Sequence, residues 1–253
     1  MSPALRINPD PDGEYRRRRT GRQPPKRRRT WRWLGVAILL LAFVPPLALR
    51  WLTPPVSAFM AEAWVGAVIA RRSDFYLQQT SLPLAAISPN LALAVIAAED
   101  QQFPHHHGFD LEQVAAALRE SRAGGTRGAS TLSQQTIKNL LLWPGRSWVR
   151  KGLEAWYTIG LELFCSKQRI LELYLNFAQF GDGIYGASAA SKNYFGSAAA
   201  ELGAEESALL AAVLPNPRRL RTVPSSAQVR VRQQWILRQM RQLGGVGYLR
   251  ELQ

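Results

Sequence analysis

A chain of 253 residues can bury one core of ordinary size, and 47% hydrophobic content excludes a wholly disordered or fibrous protein. The net charge of +14 is unevenly placed: residues 1–32 hold 11 basic and three acidic side chains, a surplus of eight, so the charge belongs more to a tail than to a domain. The single cysteine, Cys165, excludes an intrachain disulfide and a cysteine-based zinc framework, and its neighbours Leu161, Leu163 and Phe164 fit a small buried hydrophobe better than a reactive thiol.

Residues 1–30 are rich in Arg, Pro and Gly, with basic clusters at Arg16–Arg19 and Lys26–Arg29, and are expected to be a disordered tail. Such a tail suits nucleic acid or an anionic membrane surface. The apolar run that follows favours the membrane and argues against nucleic acid. Trp33 to Leu49 spans 17 residues without a charge, the lower end of spanning length, with Trp31, Trp33 and Trp51 at its flanks. The expectation is a transmembrane helix over 31–52, its N-terminus in the cytoplasm, the bulk of the chain outside, and Pro45 and Pro46 kinking or ending the helix near the outer face. The alternative is a cleaved signal peptide with Val56-Ser57-Ala58 as its small-residue site; the long basic region and long apolar run favour an uncleaved anchor.

Residues 53–88 are read as a membrane-proximal connector. Phe59, Met60, Trp64, Val65, Val68 and Ile69 give a helix there an apolar stripe, which either lies on the bilayer or packs on its own domain. A domain over 89–243 follows, helical almost throughout. Asn90 is expected to cap a first helix, and Asp110 with Gln113 to form a capping box for a second ending near Glu120. After a loop at 122–128, Ser130 or Thr131 opens a helix to about Leu142. Ser147 caps one to about Phe164, and Ser166 another to about Phe177. Further helices are predicted at 184–195, 205–213 and 226–243, the last stopped by Gly244-Gly245 before a short tail at 244–253. No segment shows sustained strand alternation, so the fold class is mainly α.

Three segments carry candidate chemistry. At the end of a helix made almost entirely of Ala, Leu, Val and Ile stand Glu99 and Asp100, followed by His105, His106, His107 and Gly108. A carboxylate at a helix C-terminus opposes the macrodipole, and partial desolvation raises its pKa, as a general base requires. The bland alternative, a surface acidic pair, has equal weight on these grounds. Adjacent histidines do not share a helix face, so a structural hydrogen bond is favoured over a metal site. The second segment is 127–142, where Gln134 and Lys138 share a helix face behind a Ser/Thr-rich start suited to an anion or a sugar. The third is 147–155, where Arg150, Lys151 and Glu154 fall at ion-pair spacing, which alone is most simply an exposed salt-bridged helix.

Taken together these segments resemble the glycosyltransferase module of class A penicillin-binding proteins, in particular its stand-alone form, the monofunctional biosynthetic peptidoglycan transglycosylases. The likeness rests on Glu99-Asp100, Phe103, His106, Gly108 and Asp110; on Gly128, Ser130-Thr131, Gln134-Gln135 and Lys138; and on Arg150-Lys151 with Glu154-Ala155. It continues through residues 170–196 and 205–217, in order and with matching spacing. Ala129 where many members have Gly, and Leu132-Ser133 for Ile-Thr, are mild departures.

The resemblance implies a lysozyme-like helical fold and polymerisation of lipid II into β-1,4-linked glycan strands, with inversion and release of undecaprenyl diphosphate. Glu99 matches the catalytic base that deprotonates the acceptor hydroxyl, and Glu154 the second essential carboxylate. Lys138, Arg150 and Lys151 match the cations on the diphosphate. Ser130, Thr131, Gln134, Gln135, Asp100 and His106 match the substrate-binding surroundings. No cofactor is required by this chemistry; a divalent cation (Mg or Mn) on the diphosphate is optional, and the sequence shows no metal cage. Expected partners are lipid II, the nascent glycan chain, the membrane and proteins of a cell-wall synthesis complex, at the bacterial inner membrane. Ser-x-x-Lys, Ser-Asp-Asn and Lys-Thr-Gly are absent, so no transpeptidase activity is expected. Two rivals stand beside this reading: a lysozyme-like or lytic enzyme using Glu99 as an acid, and a non-enzymatic membrane scaffold. The six aromatics Tyr174, Phe177, Phe180, Tyr185, Tyr194 and Phe195 are expected to pack rather than to present sugar platforms.

Overall fold

The computed structural model describes residues 27–122, 130–145, 147–220 and 222–253. The chain divides into two units, Met1–Leu39 and Leu40–Gln253. The described part of the first belongs to helix α1 (Arg27–Ala48), whose closing turns fall in the second. Among the described residues no helix is long and apolar enough to cross a membrane. The helix starts four residues before the expected span and ends four before its close, so it takes in Arg27–Arg29 and Arg32 as well as the apolar run.

The second unit is mainly helical, as the capping residues and apolar periodicity predict. Its centre is α3 (Pro89–Glu99), in which every residue from Leu91 to Ala97 is buried. That explains its composition: a helix surrounded on all sides has no face for polar side chains. The helix starts two residues earlier than expected, because Ser88 rather than Asn90 caps it: the Ser88 hydroxyl accepts from the Asn90 N–H and Pro89 takes the first helical position. Against α3 lie α9 (Ala204–Val213) and α10 (Ala227–Gln242). Ala94 and Ala97 on α3, with Ala208, Ala211 and Ala212 on α9, are small enough to let the two backbones approach closely.

A second group of helices packs around α5 (Leu132–Leu141): α6 (Trp148–Phe164), α7 (Lys167–Phe177) and α2 (Ala58–Ile69). Thr131, Ser147 and Ser166 cap α5, α6 and α7 by accepting from the third backbone N–H on, and at α5 Gln134 completes a capping box by accepting from the Thr131 N–H. Asp110 accepts from the Gln113 N–H at 2.8 Å at the start of α4 (Leu111–Arg122). The predicted loop at 122–128 falls, from residue 123 on, outside the described residues, as does Gly128. The connector holds α2, capped by Ser57; Met60 and Ala67 face the domain, while Trp64, Val65, Val68 and Ile69 stay exposed.

Two local features differ from the sequence expectation. A small antiparallel hairpin, β1 (Gln179–Gly181) and β2 (Ile184–Tyr185), replaces the start of the helix predicted at 184, so α8 runs Gly186–Phe195. Strands this short leave no alternation to read. Gly186 makes the corner with φ +80°, and a Cβ there would stand 2.5 Å from the Asn176 carbonyl oxygen. Residues 245–252, expected as a tail, form 3-10 turns that pack on α3 and α10 and bury Leu252. The aromatics of 170–196 do pack: Tyr174, Phe177, Phe180 and Tyr185 are buried, and Tyr194 and Phe195 lean on the core.

Candidate active site

The two helix groups meet at the C-terminal end of α3, and the site is built there. Glu99 is the last residue of α3, and its side chain is 14% exposed. One carboxylate oxygen accepts from Gln135 Nε2 at 3.1 Å, the other from Arg232 Nη2 at 3.1 Å. Burial pushes the Glu99 carboxyl above the ordinary carboxylate range, against the opposing pull of Gln135, Arg232 and Lys138. This carboxylate lines a cavity of about 800 Å³ together with Ser130, Gln135, Arg232, Trp235 and Gln239.

Asp100, next in the chain, turns the other way. It is 1% exposed and accepts from His106 Nε2 at 2.9 Å and from the Leu132 N–H at 2.8 Å. Leu132 opens α5, so the carboxylate sits on that helix's free N–H groups. The other ring nitrogen of His106 accepts from the Gly108 N–H at 3.1 Å, which makes the ring a donor to Asp100. Thr131 in turn donates to the Gly108 carbonyl at 2.7 Å. Thr131, Gln134 and His106, matched to the substrate surroundings by resemblance, therefore spend their hydrogen bonds inside the protein and stand behind the cavity wall rather than on it. His106 is the structural loop histidine that the sequence favours over a metal ligand.

A second cavity, about 540 Å³, is lined by Phe59, Ser130, Lys138, Trp143, Arg150, Lys151 and Glu154. Ser130 lines both cavities, so they adjoin at its side chain. Glu154 is 2% exposed, and both its oxygens are taken: Arg150 Nη1 donates at 2.6 Å and Lys151 Nζ at 2.5 Å. The ion pair that spacing alone reads as exposed is thus buried at Glu154 and Arg150, with Lys151 open to solvent. Lys138, half-buried on α5, pairs with no carboxylate among the described residues; its ammonium lies 5.9 Å from the centre of the Phe59 ring. Burial pushes its pKa down; Glu154 and Glu99 raise it, and Arg150 and Lys151 lower it further. Both carboxylates act on Lys138 through space, and the residue itself lines the second cavity. Arg150, Lys151 and Lys138 bring three cations to the second cavity against the one carboxylate of Glu154.

Eight of the eleven residues marked in the sequence line these two cavities: Glu99, Asp100, Ser130, Gln135, Lys138, Arg150, Lys151 and Glu154. Sequence reasoning missed Arg232. It lies 133 positions after Glu99, on a helix that also bears Arg230, Arg238 and Arg241, and no local signal separates it from them. Among the described residues no group of three or more His, Cys, Asp or Glu side chains could hold a metal ion. Cys165 is buried and unpaired with another cysteine, and burial pushes its thiol up to about 11, in keeping with a packing role.

The arrangement is a buried carboxylate with a raised pKa facing one cavity, and a cationic pocket beside it. Comparison with known proteins agrees in family. A family model described as Transglycosylase matches residues 66–241. A protein named biosynthetic peptidoglycan transglycosylase from Xanthomonas campestris pv. campestris (strain B100) is 53% identical over 232 residues, covering 90% of this chain and 94% of that protein. Proteins of the same name from Xanthomonas oryzae pv. oryzae (strain KACC10331 / KXO85) and Pectobacterium carotovorum subsp. carotovorum (strain PC1) are 52% and 51% identical, covering 89% and 86% of this chain and 94% and 86% of their own lengths. With the match running through both helix groups and the whole of the site between them, the chain belongs to the transglycosylase family.

Proposed function

We propose that the protein polymerises lipid II into β-1,4-linked glycan strands. Glu99 removes the proton from the C4 hydroxyl of an acceptor lipid II in the first cavity. The acceptor oxygen attacks C1 of the growing strand, the C1–O bond to phosphate breaks, and undecaprenyl diphosphate leaves with the electron pair. Direct displacement converts an α-linked donor into a β-linked product. Lys138, Arg150 and Lys151 hold the leaving diphosphate in the second cavity. Glu154 keeps Arg150 and Lys151 parallel and limits their mutual repulsion.

The observation that carries this reading is the division of labour between adjoining cavities. Cleaving a sugar–sugar bond requires an acid, because an alkoxide leaves poorly. A diphosphate leaves well once its charge is neutralised, so one base and a cationic pocket suffice. The three cations gathered around Glu154 fit a diphosphate and have no task in a lysozyme-like cleavage. Both oxygens of Glu154 are occupied by Arg150 and Lys151. The pocket is thus not built as a metal cage, and no step of this mechanism passes through a metal ion.

The same reading places the protein at the bacterial inner membrane, catalytic domain outside, where a substrate with a lipid tail is met. Its support is the uncharged run Trp33–Leu49 and the exposed Leu40, Leu41, Phe43 and Val44 on α1. The helical part of that run, Trp33–Ala48, extends about 24 Å, short of the roughly 30 Å hydrocarbon core, so anchoring would draw on the flanking tryptophans. The test is incubation of the full chain with lipid II and, separately, with finished sacculi, with and without a phosphoglycolipid transglycosylase inhibitor. Inhibitor-sensitive glycan polymer from lipid II is the expected product. Soluble muropeptides from sacculi, with no polymer from lipid II, would overturn the proposal.

A further inference from the structure

We propose that Arg232 is the positioning residue of the catalytic base: it holds the Glu99 carboxylate ionised and aimed into the acceptor cavity. The inference rests on the role proposed for Glu99 and adds a residue that the motifs of the sequence do not mark.

The geometry is specific. Arg232 Nη2 lies 3.1 Å from Glu99 Oε1 and 3.4 Å from the Ala98 carbonyl oxygen, so it grips both the side chain and the last turn of α3. Gln135 Nε2 takes the other carboxylate oxygen, and the two donors fix the plane of the carboxylate from opposite sides. Each oxygen keeps a lone pair, and both donors line the cavity that Glu99 faces. Behind Arg232, α10 is seated by buried Val229, Ile236, Leu237 and Met240, and the guanidinium carbon lies 5.8 Å from the centre of the Trp235 ring. Arg232 Nε is buried without a partner. An arginine serving only to tie α10 to α3 would be expected to satisfy that donor.

The other groups around Glu99 do not replace this contact. Lys138, on α5, acts through space without touching it. Tyr174, on α7, reaches it only through Gln135, whose Oε1 accepts from the Tyr174 hydroxyl at 3.3 Å. Asp100, next in the chain, turns away from Glu99 to accept from His106 and the Leu132 N–H. Among the described residues Arg232 is therefore the one cation in contact with a carboxylate whose ionised form burial disfavours.

The test compares the wild-type full chain with Arg232→Met and Arg232→Lys by the pH dependence of kcat and KM in lipid II polymerisation. Titration of the Glu99 carboxyl carbon by NMR is followed in parallel. Arg232→Met is expected to lower kcat on the acid side about tenfold more than on the alkaline plateau, with KM little changed and the Glu99 midpoint moved upward. Arg232→Lys is expected to restore most of the loss. A loss of kcat by one factor at every pH, or an unmoved Glu99 midpoint, would overturn the inference. The NMR arm does not depend on turnover. An upward midpoint alongside Glu99→Gln protein that still polymerises would sink the catalytic reading and leave the positioning contact standing.

Discussion

Asp100 and His106 form a buried pair, 2.9 Å apart, and that pair ties the loop after α3 to the first turn of α5. The proposed base, Glu99, is thus followed by a residue whose hydrogen bonds hold the architecture together. Asp100→Ala would strand the His106 ring N–H and the Leu132 N–H without an acceptor. A loss of about 3 kcal/mol is expected, read as a fall in the denaturation midpoint, with activity falling at the same time. Asp100→Asn keeps one acceptor and should lose less.

Glu99→Gln should separate activity from stability. Removing a general base costs turnover on the order of a hundredfold or more. The stability effect has a definite sign. The folded-state pKa of Glu99 is raised, so the native protein binds this proton more tightly than the unfolded chain does. Stability therefore falls as pH rises from the ordinary carboxylate range through the raised value. Above that window the ionised, buried carboxylate is a burden the glutamine variant does not carry. The expected outcome at neutral pH is a Glu99→Gln protein that melts no lower than the wild type and does not polymerise. A variant that melts much lower would show that position 99 is structural.

Lys138 and Glu154, which line the same cavity, should behave differently on substitution. Lys138 is desolvated and unpaired with any carboxylate among the described residues, so Lys138→Met relieves a buried charge. It should retain or raise the melting temperature while lowering kcat about a hundredfold. Glu154→Gln leaves Arg150 and Lys151 facing each other without their counter-ion. It should lose both turnover and about 3 kcal/mol of stability. Calorimetry beside a polymerisation assay distinguishes the two patterns.

Gly186→Ala is expected to destabilise by about 2 kcal/mol or more. The added Cβ meets a positive φ and the Asn176 backbone at once. Chemical denaturation measures it, and an effect below about 0.5 kcal/mol would mean that the corner relaxes freely.

Much of the helical plan was legible because its signals are local. Ser147 and Ser166 announce two helix starts to the residue, Ser130-Thr131 a third to within one position, and the continuous apolar stretch Leu91–Ala97 announces a helix buried on every side. The family resemblance, rather than any local signal, put Glu99, Lys138 and Glu154 into one site. What remained hidden depends on tertiary contact. Ser88 outcompetes Asn90 as a cap because its hydroxyl also donates to the Leu202 carbonyl, 114 positions away. The hairpin at 179–185 is recruited by Gln78, whose backbone bonds both Gly183 and Tyr185. Glu154 looked like half of a solvated ion pair, since spacing on a helix gives no indication of which face is covered. Arg232 was invisible for the same reason: its partner is supplied by the packing of α10 on α3.

The 3-10 turns at 245–252 bear on more than core volume. The Tyr248 hydroxyl donates to the Gln101 carbonyl at 2.8 Å, and Glu251 pairs with His105 at 3.0 Å. The loop bearing the base's immediate successors is thereby braced by a segment some 150 positions downstream. A protease nick at Gly244, or a bulky fusion that pries this brace loose, would disturb turnover without altering any residue that touches substrate.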